Sequence, residues 1–231
     1  MKNTSQLCLN LHVRFEPSFE NFYVTKTNAT LLNYLQHFFD YPENLYIWSP
    51  PQQGRTHLLH ALCRLAQAQQ RSHMYLSLKK KSDIEVGILQ NLELYDLICL
   101  DDLEEVVGNS VWEEALFHLY NRTQMQKKQI VIAANVAPAQ LNLDLPDLKS
   151  RLSASTVFAI HPLNDAEKLK VLQMRAEKFG LVLSNSVGKF LLNHAARDNH
   201  FLFSALDELD KISLSKKQAL TIPFVKEVLG L

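Results

Sequence analysis

From Leu31 to Ile160 the apolar positions switch repeatedly between two spacings. Short unbroken apolar runs read as buried strands, and longer stretches in which apolar residues return every three or four positions read as helices. The first helical pattern puts Leu31, Leu32, Leu35, Phe38 and Phe39 on one face. Leu45–Trp48 then reads as a strand and Thr56–Gln69 as a helix, His73–Leu78 as a strand and Asp83–Leu92 as a helix. Leu97–Leu100 is the next strand, Ser110–Met125 a long helix, Gln129–Ala134 a strand, Pro146–Leu152 a short helix and Val157–Ile160 the last strand. Strands alternating with helices of this length predict an α/β fold with a parallel central sheet and helices on both faces.

Past Pro162 the strand signal stops. Asn164-Asp165-Ala166-Glu167 opens a helix as a capping box, the Asn capping and the Glu reaching back, and Gly180 ends it. Ser184–Ala196 and Phe201–Ile212 read as two more helices, and Thr221-Ile222-Pro223 opens a last one with Pro in its first turn. The expected organisation is a polar tail over 1–18, an α/β domain over 19–162 and a small helical domain over 163–231.

Composition narrows the function classes. The chain has 231 residues, 47% of them hydrophobic, enough for one full domain and a small second one. Lys plus Arg and Asp plus Glu both number 24, so the formal net charge is zero, without the basic excess of a dedicated DNA-binding protein. Cys8, Cys63 and Cys99 lie far apart in no metal-like spacing, which predicts a reduced, cytoplasmic chain. No apolar run has the length of a membrane span, and the polar N-terminus lacks the apolar core of a signal peptide.

The candidate chemistry sits where predicted strands end. Ser49-Pro50-Pro51-Gln52-Gln53-Gly54-Arg55-Thr56 follows the strand at 45–48 and precedes a helix. Its spacing is that of the phosphate-binding loop G-x-x-x-x-G-K-[ST], with Ser49 for the first Gly and Arg55 for the Lys. A guanidinium is a wide planar fork and does not substitute cleanly for a compact ammonium, which argues against efficient turnover. The strand at 97–100 runs into Asp101 and Asp102, where nucleoside triphosphatases place the carboxylate that holds Mg²⁺. Asn135, after the strand at 129–134, could orient a water near a phosphate or simply end a strand. Arg151, on the short helix after Pro146, could stabilise phosphate charge in a neighbouring subunit, or pair with Asp147 one turn earlier. His57 and His60 have helical spacing with no third metal ligand near, so ordinary packing or proximity to a phosphate is the better account. In the tail, Gln6-Leu7-Cys8-Leu9-Asn10-Leu11 alternates apolar and polar residues, as an extended peptide does when it docks into a partner's groove.

Taken in order, the loop, the apolar-Asp-Asp strand, Asn135, Ser150-Arg151-Leu152 and the helical end resemble AAA+ ATPases of the initiator clade. Phe19-Glu20-Asn21-Phe22 with Asn28 and Leu31-Leu32 resembles the opening box of the DnaA family. Trp112 to Arg122, Gln140 to Leu148 and Leu220 to Leu229 are similar to the Hda-like, DnaA-related proteins, and the likeness covers essentially the whole chain.

That resemblance implies more than the spacings do. It implies an AAA+ domain with a C-terminal helical lid and a negative regulator of chromosomal replication initiation. Such proteins bind the DNA polymerase sliding clamp (its β subunit) through a QL-x-L-x-L peptide, which Gln6, Leu7, Leu9 and Leu11 match. On the clamp they stimulate hydrolysis of ATP held by DnaA, and Arg151 matches their arginine finger acting in trans. Phe117 and Asn121 match the helix that faces the neighbouring AAA+ protomer, here DnaA. The resemblance implies ADP as the bound nucleotide, held by Gly54, Arg55, Thr56, Asp101, Asp102, Asn135 and His200, with Asp101 and Thr56 around any Mg²⁺. His200 stands where these proteins usually keep a lid Arg, while Arg55 in place of Lys is expected in the Hda-like branch. The chain ends where DnaA continues into a DNA-binding domain, so DNA is expected only indirectly, through the clamp. A cytoplasmic location with nucleoid association through the clamp follows, and assembly with further copies of the chain stays open. The rival readings are an adaptor that recruits DnaA without promoting hydrolysis, and an independent ATPase.

Overall fold

The computed structural model describes residues 16–79, 85–194, 199–216 and 218–231. Five parallel strands form one sheet: β1 (Leu45–Trp48), β2 (His73–Ser77), β3 (Leu97–Asp101), β4 (Gln129–Ala134) and β5 (Thr156–Ala159). Their spatial order is β2-β3-β4-β1-β5, so the strand that feeds the phosphate-type loop lies between β4 and β5. Trp48 is level with Ala134 and Ala159, and Leu100 with Ile132, which brings the carboxyl ends of β1, β3 and β4 together at one edge.

The unbroken apolar runs are explained by burial on both faces, because successive strand side chains point to opposite sides. Leu45, Ile47, Leu97, Cys99, Val131 and Ala133 pack on one side against α1 (Ala29–Gln36) and α2 (Arg55–Ala68). Tyr46, Ile98, Leu100, Ile130, Ile132 and Ala134 pack on the other against α3 (Ser110–Met125) and α4 (Pro146–Ser153). On α2 the stripe Leu58, Leu59, Leu62, Cys63 and Ala66 faces the sheet. A separate core of Leu172, Leu191, Leu206, Leu209, Phe224 and others holds α5 (Asp165–Lys178), α6 (Asn185–His194), α7 (Asn199–Lys216) and α8 (Ile222–Leu229) together. The capping box is formed: Asn164 Oδ1 accepts from Glu167 N at 2.9 Å, and Asn164 N donates to Glu167 Oε2 at 2.8 Å.

Two expectations need correction. Asp83–Leu92 is not one helix. Its described part is two single 3₁₀ turns, Val86–Leu89 and Leu92–Leu94. Gly87 weakens helical order, and Asn91 takes a left-handed φ of 63° that no continuous helix allows. The first helix ends at Gln36, and Phe38 and Phe39 belong to a separate 3₁₀ turn. There Phe38 is buried and Phe39 is half-buried.

At the opposite edge of the sheet, Asp96 ties three segments. Its Oδ2 accepts from Ser72 N and Oγ at 2.9 and 2.8 Å, and its Oδ1 from Lys128 Nζ at 2.8 Å. The Lys128 hydrogen bond, followed by those from Ser72, holds the Asp96 carboxyl down to about 2. A depressed carboxylate contributes stability above its unfolded pKa of about 4, and that contribution is lost as pH falls through the folded value. Asp96→Asn should therefore melt below wild type at neutral pH, and thermal melts between pH 7 and 2 should show the gap closing below about pH 4.

Candidate functional site

The loop 49–56 sits at the carboxyl edge, where open parallel sheets place their ligands. Ser49 continues the ladder, its N donating to Ala134 O at 3.2 Å. The loop then turns with left-handed backbone at Gln52 (φ 65°) and Gly54 (φ 98°) and enters α2 at Arg55. Gly54 is required there twice over: its φ penalises any Cβ, and a Cβ would lie 2.7 Å from the Phe22 ring. Pro50 and Pro51 have no N–H, so two of the loop's positions offer no amide to an anion.

Arg55 points inward. Its side chain is 9% exposed, Nη1 donates to Ser49 O at 2.8 Å, and Nη2 donates to Glu104 Oε1 at 3.2 Å, with Asp102 Oδ1 at 3.8 Å. The other Glu104 oxygen accepts from Asn135 N at 3.1 Å. One carboxylate thus links the start of α2, the turn after β3 and the end of β4. Burial raises the Glu104 carboxyl above its ordinary value, against the opposing pull of its own backbone hydrogen bond and of the Arg55 charge. The Tyr46 hydroxyl, buried beside this pair, donates to Val136 O at 2.9 Å, and burial raises its pKa.

Thr56 and the acidic pair form a second knot. Asp101 is fully buried, and its Oδ2 accepts from Thr56 Oγ1 at 2.6 Å and Tyr75 OH at 3.0 Å, while Oδ1 accepts from Asp102 N at 3.0 Å. Asp102 has a left-handed φ of 60° and accepts from Ser77 Oγ at 2.8 Å. Thr56 Oγ1 and the Asp101 carboxylate are therefore adjacent oxygens of the kind Mg²⁺ takes. No cluster of three or more His, Cys, Asp or Glu side chains that could hold a metal exists among the described residues.

Beside the loop a cleft of about 330 Å³ opens between the α/β unit and the helical unit. It is lined by Phe22, Gln53, Gly54, Thr56, His57 and His60 on one side and by Met174, Arg175, Lys178 and Phe203 on the other, among others. His57 Nε2 is 2.8 Å from Ser18 O, and His60 lies against the Tyr75 ring at 4.1 Å. Burial lowers the pKa of both rings, so both are neutral near pH 7.

Gly54, Arg55, Thr56, Asp101, Asp102 and Asn135 all meet at this edge. The His200 side chain lies outside the described residues, as do Gln6, Leu7, Leu9 and Leu11. Arg151 is exposed in the last turn of α4. Its guanidinium makes no hydrogen bond or ion pair among the described residues, so the alternative pair with Asp147 is not formed. Phe117 and Asn121 are half-exposed on α3, which packs beside α4. Two carboxylates escaped sequence reading. Glu104 sits in an unremarkable acidic turn. Glu113 is fully buried and accepts from Gly108 N and from Leu145 N, both at 2.8 Å, fixing the entry to α4 and thus the base on which Arg151 stands. Its helical position among apolar neighbours was the available signal.

A parallel sheet with a phosphate-type loop after an interior strand, an acidic pair on the next strand but one, and a helical lid closing a cleft defines an AAA+ protein. Residues 13–159 match the bacterial DnaA ATPase domain, and residues 165–229 match the Hda lid domain. The chain therefore belongs to the DnaA-related AAA+ family, with the Hda type of lid, and stands among DnaA-related regulators of replication. An uncharacterised protein of Haemophilus influenzae is 41% identical over 235 residues, covering 98% of this chain and 99% of its own length. Domain III of the Thermotoga maritima replication initiation protein DnaA shares the fold with a TM-score of 0.81 at 20% identity, over 93% of this chain and 96% of that one. AMPPCP-bound DnaA from Aquifex aeolicus gives 0.71 at 22% identity, over 87% and 67%. No helix among the described residues is long and apolar enough to cross a membrane.

The Arg55–Glu104 link makes a stability prediction. Glu104→Ala leaves a buried guanidinium and the Asn135 amide short of an acceptor, and should cost about 1.5–3 kcal/mol in urea unfolding. Glu104→Gln keeps an acceptor oxygen and should cost clearly less.

Proposed function

We propose that this protein restrains replication initiation by acting on ATP held by DnaA, not by turning over ATP of its own. The observation that carries the proposal is the outward, unpaired Arg151 on a helix whose entry the buried Glu113 anchors. An Arg so placed can stabilise charge on a phosphoryl group in an adjoining AAA+ subunit. Family membership supports DnaA as that subunit, and the half-exposed Phe117 and Asn121 beside α4 support α3 as part of the contact. Against turnover by this chain stand the two prolines of the loop and the guanidinium of Arg55 turned toward Glu104. In this reading the cleft holds ADP, with Mg²⁺, when present, at Thr56 and Asp101. The tail 1–18 is the clamp-binding segment, through Gln6, Leu7, Leu9 and Leu11. Residues 19–162 form the AAA+ domain and 163–231 the lid. The protein then works in the cytoplasm, on clamp-loaded DNA.

The test is phosphate release from DnaA-bound ATP in the presence of clamp-loaded DNA. Arg151→Ala should lose stimulation by about 10³-fold or more with the fold intact, and Arg151→Lys should restore little, since Lys lacks the planar fork. Equal stimulation by wild type and Arg151→Ala would leave an adaptor that only recruits DnaA.

The tail is tested separately. Replacing Leu9 and Leu11 with Ala removes about 2 kcal/mol of apolar burial each if both enter a clamp groove. Clamp affinity measured by surface plasmon resonance should collapse while the melting temperature stays put. Unchanged affinity would show that the tail is not the clamp ligand.

A further inference from the structure

Among the described residues that line the cleft there is no Asp or Glu, and the cationic side chains are Arg175 and Lys178, both on α5 of the lid. The loop's own cation does not line it: Arg55 is spent on Ser49 O and Glu104. Of the three histidines that line the cleft, His57, His60 and His161, burial lowers the pKa of the first two, which favours their neutral form. A cleft lined in this way suits an anionic ligand, and its positive charge comes from the lid.

Arg175 is the better built of the two. Its side chain is 15% exposed, the guanidinium carbon lies 4.6 Å from the Phe203 ring centre, and Nη2 is 3.1 and 3.3 Å from the two oxygens of Asp207. The Phe203 ring and the Asp207 carboxylate orient the fork, and its planar geometry is the one that recognises phosphate oxygens in pairs. Burial is the main cause of the low His57 pKa, and the charge of Arg175 lowers it further, which puts the guanidinium within electrostatic reach of the residue after Thr56.

We propose that Arg175 is the phosphate-binding cation of this site, so that a nucleoside diphosphate is gripped from the lid instead of from the loop. The proposal rests on the reading of the cleft as a nucleotide site. On it, the lid contributes binding energy only when phosphates are present, and ligand occupancy is coupled to how the lid sits over the loop.

Calorimetry on the full chain with two probes, ADP and adenosine, tests it. Wild type should bind ADP more tightly than adenosine. Arg175→Gln should weaken ADP roughly 10-fold or more, the loss of a hydrogen-bonded charge contact, and leave adenosine unchanged. Arg175→Lys, which keeps the charge and the stem, should recover part of the loss. Asp207→Asn, which removes the competing carboxylate, should tighten ADP. The Asp207→Asn variant keeps the test decisive if Arg175→Gln melts early. If wild type prefers ADP but Arg175→Gln keeps that preference, or if ADP and adenosine weaken equally, the proposal falls and the nucleotide reading stands. If wild type binds neither probe, the nucleotide reading falls and takes the proposal with it.

Discussion

The carboxyl edge of the sheet is organised around where one guanidinium goes. Arg55 starts α2, and in a phosphate-type loop a cation at this position would reach into the ligand space. Here it folds back onto Ser49 O and Glu104 Oε1, and the second Glu104 oxygen takes the Asn135 amide. A buried guanidinium without acceptors would be severely destabilising, so once Arg occupies this position its partners are nearly obligatory. Satisfying it draws together β1, the turn after β3 and the end of β4. The width and planarity of the fork matter: a Lys ammonium could not hold a carbonyl and a carboxylate in two fixed directions at once.

The rest of the site follows from that arrangement. The loop has lost amides to Pro50 and Pro51 and its cation to Glu104, while Thr56 Oγ1 and Asp101 remain in contact at 2.6 Å. What survives is an oxygen pair suited to a hard cation, an apolar cleft and a lid that faces it with positive charge. Such a site can retain a nucleotide as a structural ligand better than it can drive hydrolysis, because the charge that develops on a transferring phosphoryl group finds no loop cation. The outward Arg151 is the complement. On the proposed function, a chain poorly equipped for hydrolysis of its own presents a group that could assist hydrolysis in a neighbouring subunit.

Two carboxylates, the buried Glu113 and the half-exposed Asp96, hold the fold in place without any role in chemistry. Glu113 holds the chain entering α4 through Leu145 N, and Asp96 clamps the far edge through Ser72 and Lys128. Each is satisfied by directional donors, which for the buried Glu113 is the condition for burying charge at acceptable cost. They keep the strands and α4 in fixed relation, so that Arg151 stands on a rigid base.

Much of the fold was legible in the sequence because its signals are local. Every strand read from an apolar run is present to within a residue or two, since a run buried on both faces of a parallel sheet has no alternation to disguise it. The capping box at Asn164 and the end of α5 at Gly180 were equally plain, because a cap needs only neighbours in the chain. The exception proves local too: Gly87 and Asn91 broke the helix expected over 83–92. The loop, the acidic pair and the family likeness also came from the sequence. What tertiary structure alone decided were the pairings between distant residues. Arg55 with Glu104, Glu113 with Leu145, and Arg175 on the wall opposite Thr56 depend on which strands lie side by side and on where the lid packs. A charged residue in the sequence shows no partner. Only the folded chain decides which carboxylate neutralises it, and so which cations are left facing the cleft.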